Sequence, residues 1–443
     1  MDTGDTAFVL VSAALVMLMI PGLAFFYSGM VRSKNVLATA LQSFFALAIV
    51  SVLWVLIGFS LAFGTDIGGL IGGLNFVGFN GVGQAPNADF AATIPFLAFA
   101  VFQLFFAAIT PALITGAFAE RMKFSAFAIF TSVWLLLVYA PLAHWVWAPG
   151  GWIRNLGALD FAGGTVVHIS AGIAALAAAI IIGKRAGLKR QNTTPHNLPF
   201  TMLGAGLLWF GWFGFNAGSA LGASGIAASA FVTTNVAAGA AMLSWALVDY
   251  IRHRKVTSLG AVSGAVAGLV AITPAAGFVS PVSAIMIGLL AGAVCAYAVG
   301  LKLKLGFDDA LDVVGVHAVG GIVGALLIGF LAEKAINPAG ADGLFHGGGL
   351  TLLGHQAIAV GASVAFAFIA SWIILKLIDM TIGLRVRPDQ EIMGLDKGLH
   401  EEDGYVFAEP EPEPTTKPTT KPTTKPASIK STSHKASKSK HRK

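Results

Sequence analysis

The sequence predicts an all-α polytopic membrane protein of eleven transmembrane helices, an inverted 5+5 repeat followed by one long helix. Its N-terminus is placed outside and its C-terminus inside. Three observations carry this. Of 443 residues, 56% are hydrophobic and 11% charged, where an ordinary soluble domain has about 25% charged. Basic residues fall in every second loop between the apolar runs. An aspartate–histidine unit occurs twice, five runs apart. The mean hydropathy of +0.77 is more than a soluble core could hide, and 53 glycines suit helices that approach closely in lipid.

The apolar runs lie at 6–30, 36–63, 91–118, 124–147, 163–183, 198–219, 227–250, 257–277, 280–302, 311–331 and 350–380. Each is near the roughly 20 residues that cross a bilayer. The first opens MDTGDTAFVL, with Asp2 and Asp5 where a signal peptide carries basic residues. It is also too long for a signal h-region, so it reads as a retained span. RSK at 32–34 follows it, and a loop without Lys or Arg follows the second run. ERMK at 120–123 follows the third, and a loop with Arg154 alone follows the fourth. GKRAGLKR at 183–190, RHRK at 252–255 and KLK at 302–304 follow the fifth, seventh and ninth. The loops after the sixth and eighth runs have no basic residue, and the loop after the tenth has only Lys334. Thirteen basic residues against two place the basic loops in the cytoplasm by the positive-inside rule. The last run is long enough to tilt or to pass the membrane surface.

Beyond about residue 384 the composition changes. Residues 1–383 form the membrane domain, 384–408 a cytoplasmic regulatory segment, and 409–443 a Pro/Thr/Lys-rich tail with a repeated TTKP unit. That tail has little to bury and is expected to be disordered, solvated or touching anionic headgroups. It supplies much of the net charge of +6, so the charge gives no ground for a nucleic-acid partner. The single cysteine, Cys295, lies in an apolar run and allows no intramolecular disulfide and no multi-cysteine metal site. No nucleophile constellation, metal cluster or nucleotide loop points to an enzyme, a metal or a cofactor.

DFAGGTVVHISAG at 160–172 and DALDVVGVHAVGG at 309–321 carry the chemistry. Asp160 precedes His168 by eight residues, and Asp309 precedes His317 by the same eight. Five spans is an odd number, so the two copies enter the membrane from opposite sides. An axis in the membrane plane would then bring both imidazoles together near the midplane. Ionisable groups there are expensive and mark function. A satisfied helix–helix hydrogen bond and a haem held by two axial imidazoles are the alternatives. Asp160 and Asp309 are expected to begin their helices, where carboxylates accept backbone N–H bonds and favour the positive dipole end.

Three aromatic clusters stand out: FQLFF at 102–106, HWVW at 144–147 and WFGWFGFNAGS at 209–219. With the N-terminus outside, Trp147 and Ser219 fall at outer helix ends, and Phe102 and Phe106 lie within the first few turns of the third run, counted from outside. They offer π faces and a hydroxyl to a small monovalent cation, an interaction worth roughly 2 kcal/mol when dry. Phe215 lies one turn deeper than Ser219 and could cap the passage to the histidines.

DFAGGTVVH, DDALDVVGVHAVGGIVG, ITGAFAERMKFSAF, HWVW and WFGFNAGS together resemble the ammonium transporter (Amt/Mep/Rh) family, on the Amt side. The resemblance runs from PGLAFFYSGMVRSKN at residue 21 to GLRV at 383. It implies a homotrimer in the cell membrane with one path for ammonium or ammonia through each subunit, and methylammonium as an analogue. By motif position it implies an outer recruitment site at Phe106, Trp147 and Ser219, with Phe102 nearby and Asp160 supporting it. Phe106 and Phe215 would close the pore, His168 and His317 would be the twin histidines, and Trp212 would line the pore. In GLDKGLHEEDGY at 394–405, Gly394, Leu395, Asp396, His400, Glu402 and Tyr405 match the family's cytoplasmic segment, whereas Glu401 and Gly404 do not. A PII-type regulatory partner at that face is implied by the matches and left open by the mismatches. The resemblance leads to NH4+ recruited outside, deprotonated, and passed as NH3 beside a histidine proton relay. An electroneutral ammonia channel and an ammonium receptor remain open beside electrogenic uptake.

Overall fold

A computed structural model describes residues 1–188 and 194–406. Among these, ten helices are long and apolar enough to cross a membrane. We label the long helices α1 (Thr3–Met30), α2 (Ser33–Phe63), α3 (Phe96–Phe118), α4 (124–147), α5 (Gly164–Ile182) and α6 (Leu198–Gly218). They continue as α7 (Gly225–His253), α8 (Ser258–Ile272), α9 (Pro281–Leu305), α10 (Val314–Leu331) and α11 (Thr351–Thr381).

The departures from the sequence reading have local causes. The expected third run starts at 91, but Ala91–Pro95 is a strand paired with Pro86–Asn87, and α3 begins only after Pro95. Proline is tolerated where a helix starts but cannot donate within one. The expected eighth run reaches 277, yet α8 has 15 residues and stops before Thr273 and Pro274, with turns to 278. Helix α1 starts three residues early because the Asp2 carboxylate accepts the Asp5 N–H at 2.8 Å as an N-cap. Helix α10 starts at 314 rather than 311, since Asp312 sits at φ 64 and breaks any helix there.

The two halves meet through their corresponding elements. Helix α1 packs along α6, its counterpart five spans on. The opening turns of α5 pack on the body of α10, and the opening turns of α10 on the body of α5, so the pair crosses antiparallel. Both opening turns are π-helical, at Gly164–Ile169 and Val314–Ala318. Glycine makes the crossing possible. A Cβ on Gly172 would sit 2.2 Å from the Ala318 nitrogen, and one on Gly321 would sit 3.0 Å from Ile169 and 3.3 Å from His168 Cβ. Each glycine stands four residues after its own histidine.

One end of the bundle is held by charge. Glu120 pairs with Arg32 at 2.8 Å and Arg185 with Asp308 at 2.9 Å. Residues after α11 join this end: Val386 N–H donates to the Arg121 carbonyl, and Arg385 pairs with Glu391 at 2.9 Å. Two short helices, Pro388–Met393 and Leu395–His400, complete a compact unit that runs from Met1 to Gly404. A second unit spans Tyr405–Lys443, of which Tyr405 and Val406 are described. The disorder expected over 409–443 lies outside the described residues.

Candidate functional site

Three spaces follow one another along the bundle. The first is a cavity of about 180 Å³ lined by Phe106 from the middle of α3, Trp147 from the end of α4 and Ser219 from the end of α6. Its lining groups are oriented rather than loose. The Trp147 indole N–H donates to the Asp160 carbonyl at 3.0 Å. The Ser219 hydroxyl donates to the Phe215 carbonyl at 2.9 Å, so its proton is committed and its lone pairs are free to accept. Phe106 stands edge to face with Trp147, centroids 6.0 Å apart.

Below the cavity, Phe106 and Phe215 stack with centroids 4.0 Å apart and an interplanar angle of 24°. Both rings are almost fully buried. Phe215 then leads to His168 at 6.1 Å, and His168 lies against Trp212 at 5.4 Å. Trp212 is fixed by its N–H donating to Thr273 Oγ1 at 2.8 Å, and that hydroxyl donates on to the Leu269 carbonyl at 2.7 Å.

The histidines meet. Their Nδ1 atoms are 3.2 Å apart and both side chains are buried. Two neutral rings can share this bond only if one carries its proton on Nδ1 and the other on Nε2. The pair therefore always offers one bare Nε2 and one Nε2–H. Among the described residues His168 Nε2 has no partner. Two axial ligands on opposite faces of one metal, each about 2 Å away, would stand about 4 Å apart, which the contact does not allow for these two Nδ1 atoms. The space beside the rings is about 10 Å³ and lined by Leu23, Leu113, Leu208 and Val266 among others. That is room for about one water-sized molecule. A third small space, about 20 Å³, continues past His317 to Ser263 and Asp312.

The carboxylates have other duties than beginning a helix directly. Asp160 lies four residues before α5 and folds back over it, taking the N–H groups of Gly163, Gly164, Thr165 and Val166 and the Thr165 hydroxyl. A π-helical start leaves five donors without an internal partner rather than four, and one carboxylate answers most of them. Both of its oxygens are thus occupied, and Asp160 reaches the cavity only through its carbonyl and Trp147. Asp309 caps more weakly: Oδ2 accepts from Val314 N–H at 2.7 Å, while Oδ1 is buried without a partner among the described residues. Burial pushes the Asp309 carboxyl up to about 6.

A match to the family model described as Ammonium Transporter Family extends over residues 7–405. The chain belongs to this family. Similarity to named members is high over nearly whole chains. An ammonium transporter of Bacillus subtilis (strain 168) is 53% identical over 91% of this chain and 99% of its own. Ammonium transporter Amt1 of Archaeoglobus fulgidus is 49% identical over 92% and 100%. Among solved structures, Saccharomyces cerevisiae Mep2 superposes with a TM-score of 0.82 at 37% identity, covering 88% of both chains. A Sensor Amt Protein superposes at 0.81 and 32% identity, over 89% and 97%.

Within this family member the remaining sequence-derived residues fall as follows. Phe102 does not line the cavity. It lies behind Phe106, centroids 4.9 Å apart, and covers Gly218, where an added Cβ would be 2.8 Å from its ring. Gly394 takes φ 109 with Lys34 against it, a place that strains any other residue. The Asp396 carboxylate accepts the Ala38 and Leu37 N–H groups at 2.8 and 3.1 Å, and burial raises its pKa. Tyr405 opens the second unit. The sequence reading missed Gln103, Asp89 and Arg154 in the cavity wall. Gln103 had a usable signal, since 99, 103 and 106 repeat at helical spacing and share the cavity face. It also missed that His144 is buried between the Ala62 carbonyl at 2.9 Å and Asp66 at 2.8 Å.

Proposed function

We propose that this multi-pass membrane protein takes up ammonium electrogenically across the cell membrane as a homotrimer. NH4+ is recruited in the cavity of Phe106, Trp147 and Ser219. The observation that carries the reading is the order of three features along the bundle: an acceptor-lined aromatic cavity, a closed phenylalanine pair, then the histidine pair. Ammonium and potassium are similar in size, so a π-lined cavity alone selects poorly between them. Moving a bare ion into the apolar space beyond the phenylalanines would cost far more than cation–π contact returns. Ammonium alone can shed a proton and cross as NH3.

The histidines supply the other lane. A proton taken at the bare Nε2 of one ring passes through the Nδ1–H···Nδ1 bond and leaves from Nε2–H of the other. The tautomers are then exchanged and must reset before the next transfer. One ammonia plus one relayed proton moves one net charge. The outer end is the one bearing the cavity, and the charged end joined by residues 384–404 faces the cytoplasm, where a PII-type protein would have access.

The test is the transient current on a solid-supported membrane carrying the purified protein, with ammonium, methylammonium and potassium compared. A saturable ammonium current, no potassium response and loss of current in H168A with NH3 entry retained would support the relay. Ammonia entry on an internal pH dye without any current would make the protein a gas channel.

A further inference from the structure

We propose that Gln103 is a further ligand of the cation in the outer cavity, and that its amide oxygen sets discrimination between ammonium and its N-alkylated analogues. The inference rests on that cavity being the ammonium site. Gln103 is 8% exposed, and its Oε1 is buried without a hydrogen-bond partner among the described residues. A buried amide oxygen left unpaired is costly, and buried polar groups in folded proteins nearly always find partners. Gln103 is among the residues that line the same cavity as Ser219, Phe106 and Trp147. What the protein does not supply, a donor ligand in the cavity can.

The charges in the wall do not decide the matter. Asp89 and Arg154 both line the cavity and are opposite in sign, and the Arg154 guanidinium is engaged with the Trp147 carbonyl. Selection therefore falls to neutral acceptors, whose value depends on how many N–H bonds the guest brings. Ammonium presents four N–H bonds in a tetrahedron. The Ser219 oxygen, already fixed as an acceptor, takes one, and the faces of Phe106 and Trp147 take two. Gln103 Oε1 completes the set. Methylammonium has three N–H bonds and a methyl group, so one acceptor goes unanswered when it binds.

Q103M keeps the size of the side chain and removes the oxygen, while Q103E keeps an acceptor. Half-saturating concentrations for ammonium and methylammonium are read from currents of each purified variant. Q103M should raise the ammonium value roughly tenfold, the weight of one hydrogen bond to a charged group. It should raise the methylammonium value at most about threefold, so the preference for ammonium narrows. Q103E puts a charged acceptor at the same position and should lower the half-saturating value for ammonium more than that for methylammonium, so it carries the test alone if Q103M does not fold. Equal shifts for both cations, or no shift, would overturn the role of Gln103 while leaving the ammonium reading intact. A wild-type protein without any ammonium response would overturn both.

Discussion

Replacing Gly172 by alanine tests whether the crossing of α5 and α10 sets the histidine contact. The new Cβ would lie 2.2 Å from the Ala318 backbone nitrogen and 2.7 Å from its Cα and Cβ. Ordinary contact begins near 3.4 Å, so the helices must part by about 1.2 Å at this point. None of these atoms is the end of a flexible side chain, so the strain cannot be relieved by a rotamer change. His317 immediately precedes Ala318, and the Nδ1–Nδ1 distance is 3.2 Å. Adding most of the displacement takes it past about 4 Å, beyond hydrogen-bond range. Overpacking of this kind costs about 1–3 kcal/mol. We expect G172A to insert and assemble, to melt at a lower temperature by tryptophan fluorescence, and to lose at least tenfold in ammonium current. Gly361, on α11, has nothing within 4 Å of an added Cβ, and G361A is the matched control with both properties kept. Wild-type current and melting in G172A would refute the argument that backbone proximity, rather than side-chain chemistry alone, holds the histidine pair.

Other expectations follow from single groups. D160A leaves four N–H groups at the head of α5 unanswered and should destabilise by about 3 kcal/mol or more, whereas D160N should retain part of the cap. An unchanged melting temperature in D160A would show that the carboxylate does not hold the helix. Asp309 is pushed up to about 6 from an unfolded value near 3.9. Its folded-state pKa is raised, so its contribution favours folding below about pH 4 and fades as pH rises through about 6, by on the order of 3 kcal/mol. The difference in melting temperature between wild type and D309N should therefore change between pH 5 and 7, and a constant difference would count against it. Asp66 lies below its ordinary value because of its hydrogen bond to His144. That contribution is present above about pH 4 and is lost on acidification through the depressed value, so D66N should melt lower at pH 7 and converge on wild type in acid.

The sequence made the histidines legible because duplication wrote the same spacing twice, and two polar groups in an apolar run are conspicuous. Helix existence was equally plain from hydropathy and loop charge. Helix ends were less so, since a hydropathy window does not see that Pro274 stops α8 or that Asp312 adopts φ 64. Phe102 and Phe106 look alike in FQLFF, and only the face each presents separates a packing ring from a cavity ring. The Asp66–His144 pair was hidden because its members are far apart in the chain and one sits in a loop of unremarkable composition. Gln103 was overlooked for a related reason: its meaning lies in a partner it lacks, and no sequence pattern records an unanswered oxygen.

The antiparallel crossing of α5 and α10 has a consequence for direction. At the midpoint each half contributes the same imidazole atom and the same following glycine, so the centre of the pore looks alike from either side. Such a centre cannot rectify. Any preference for inward over outward flow must arise at the mouths, which differ, with an aromatic cavity at one and Ser263 with Asp312 at the other. Under the proposed relay, the same steps between them would run backward whenever the gradient of ammonium and the membrane potential together reverse.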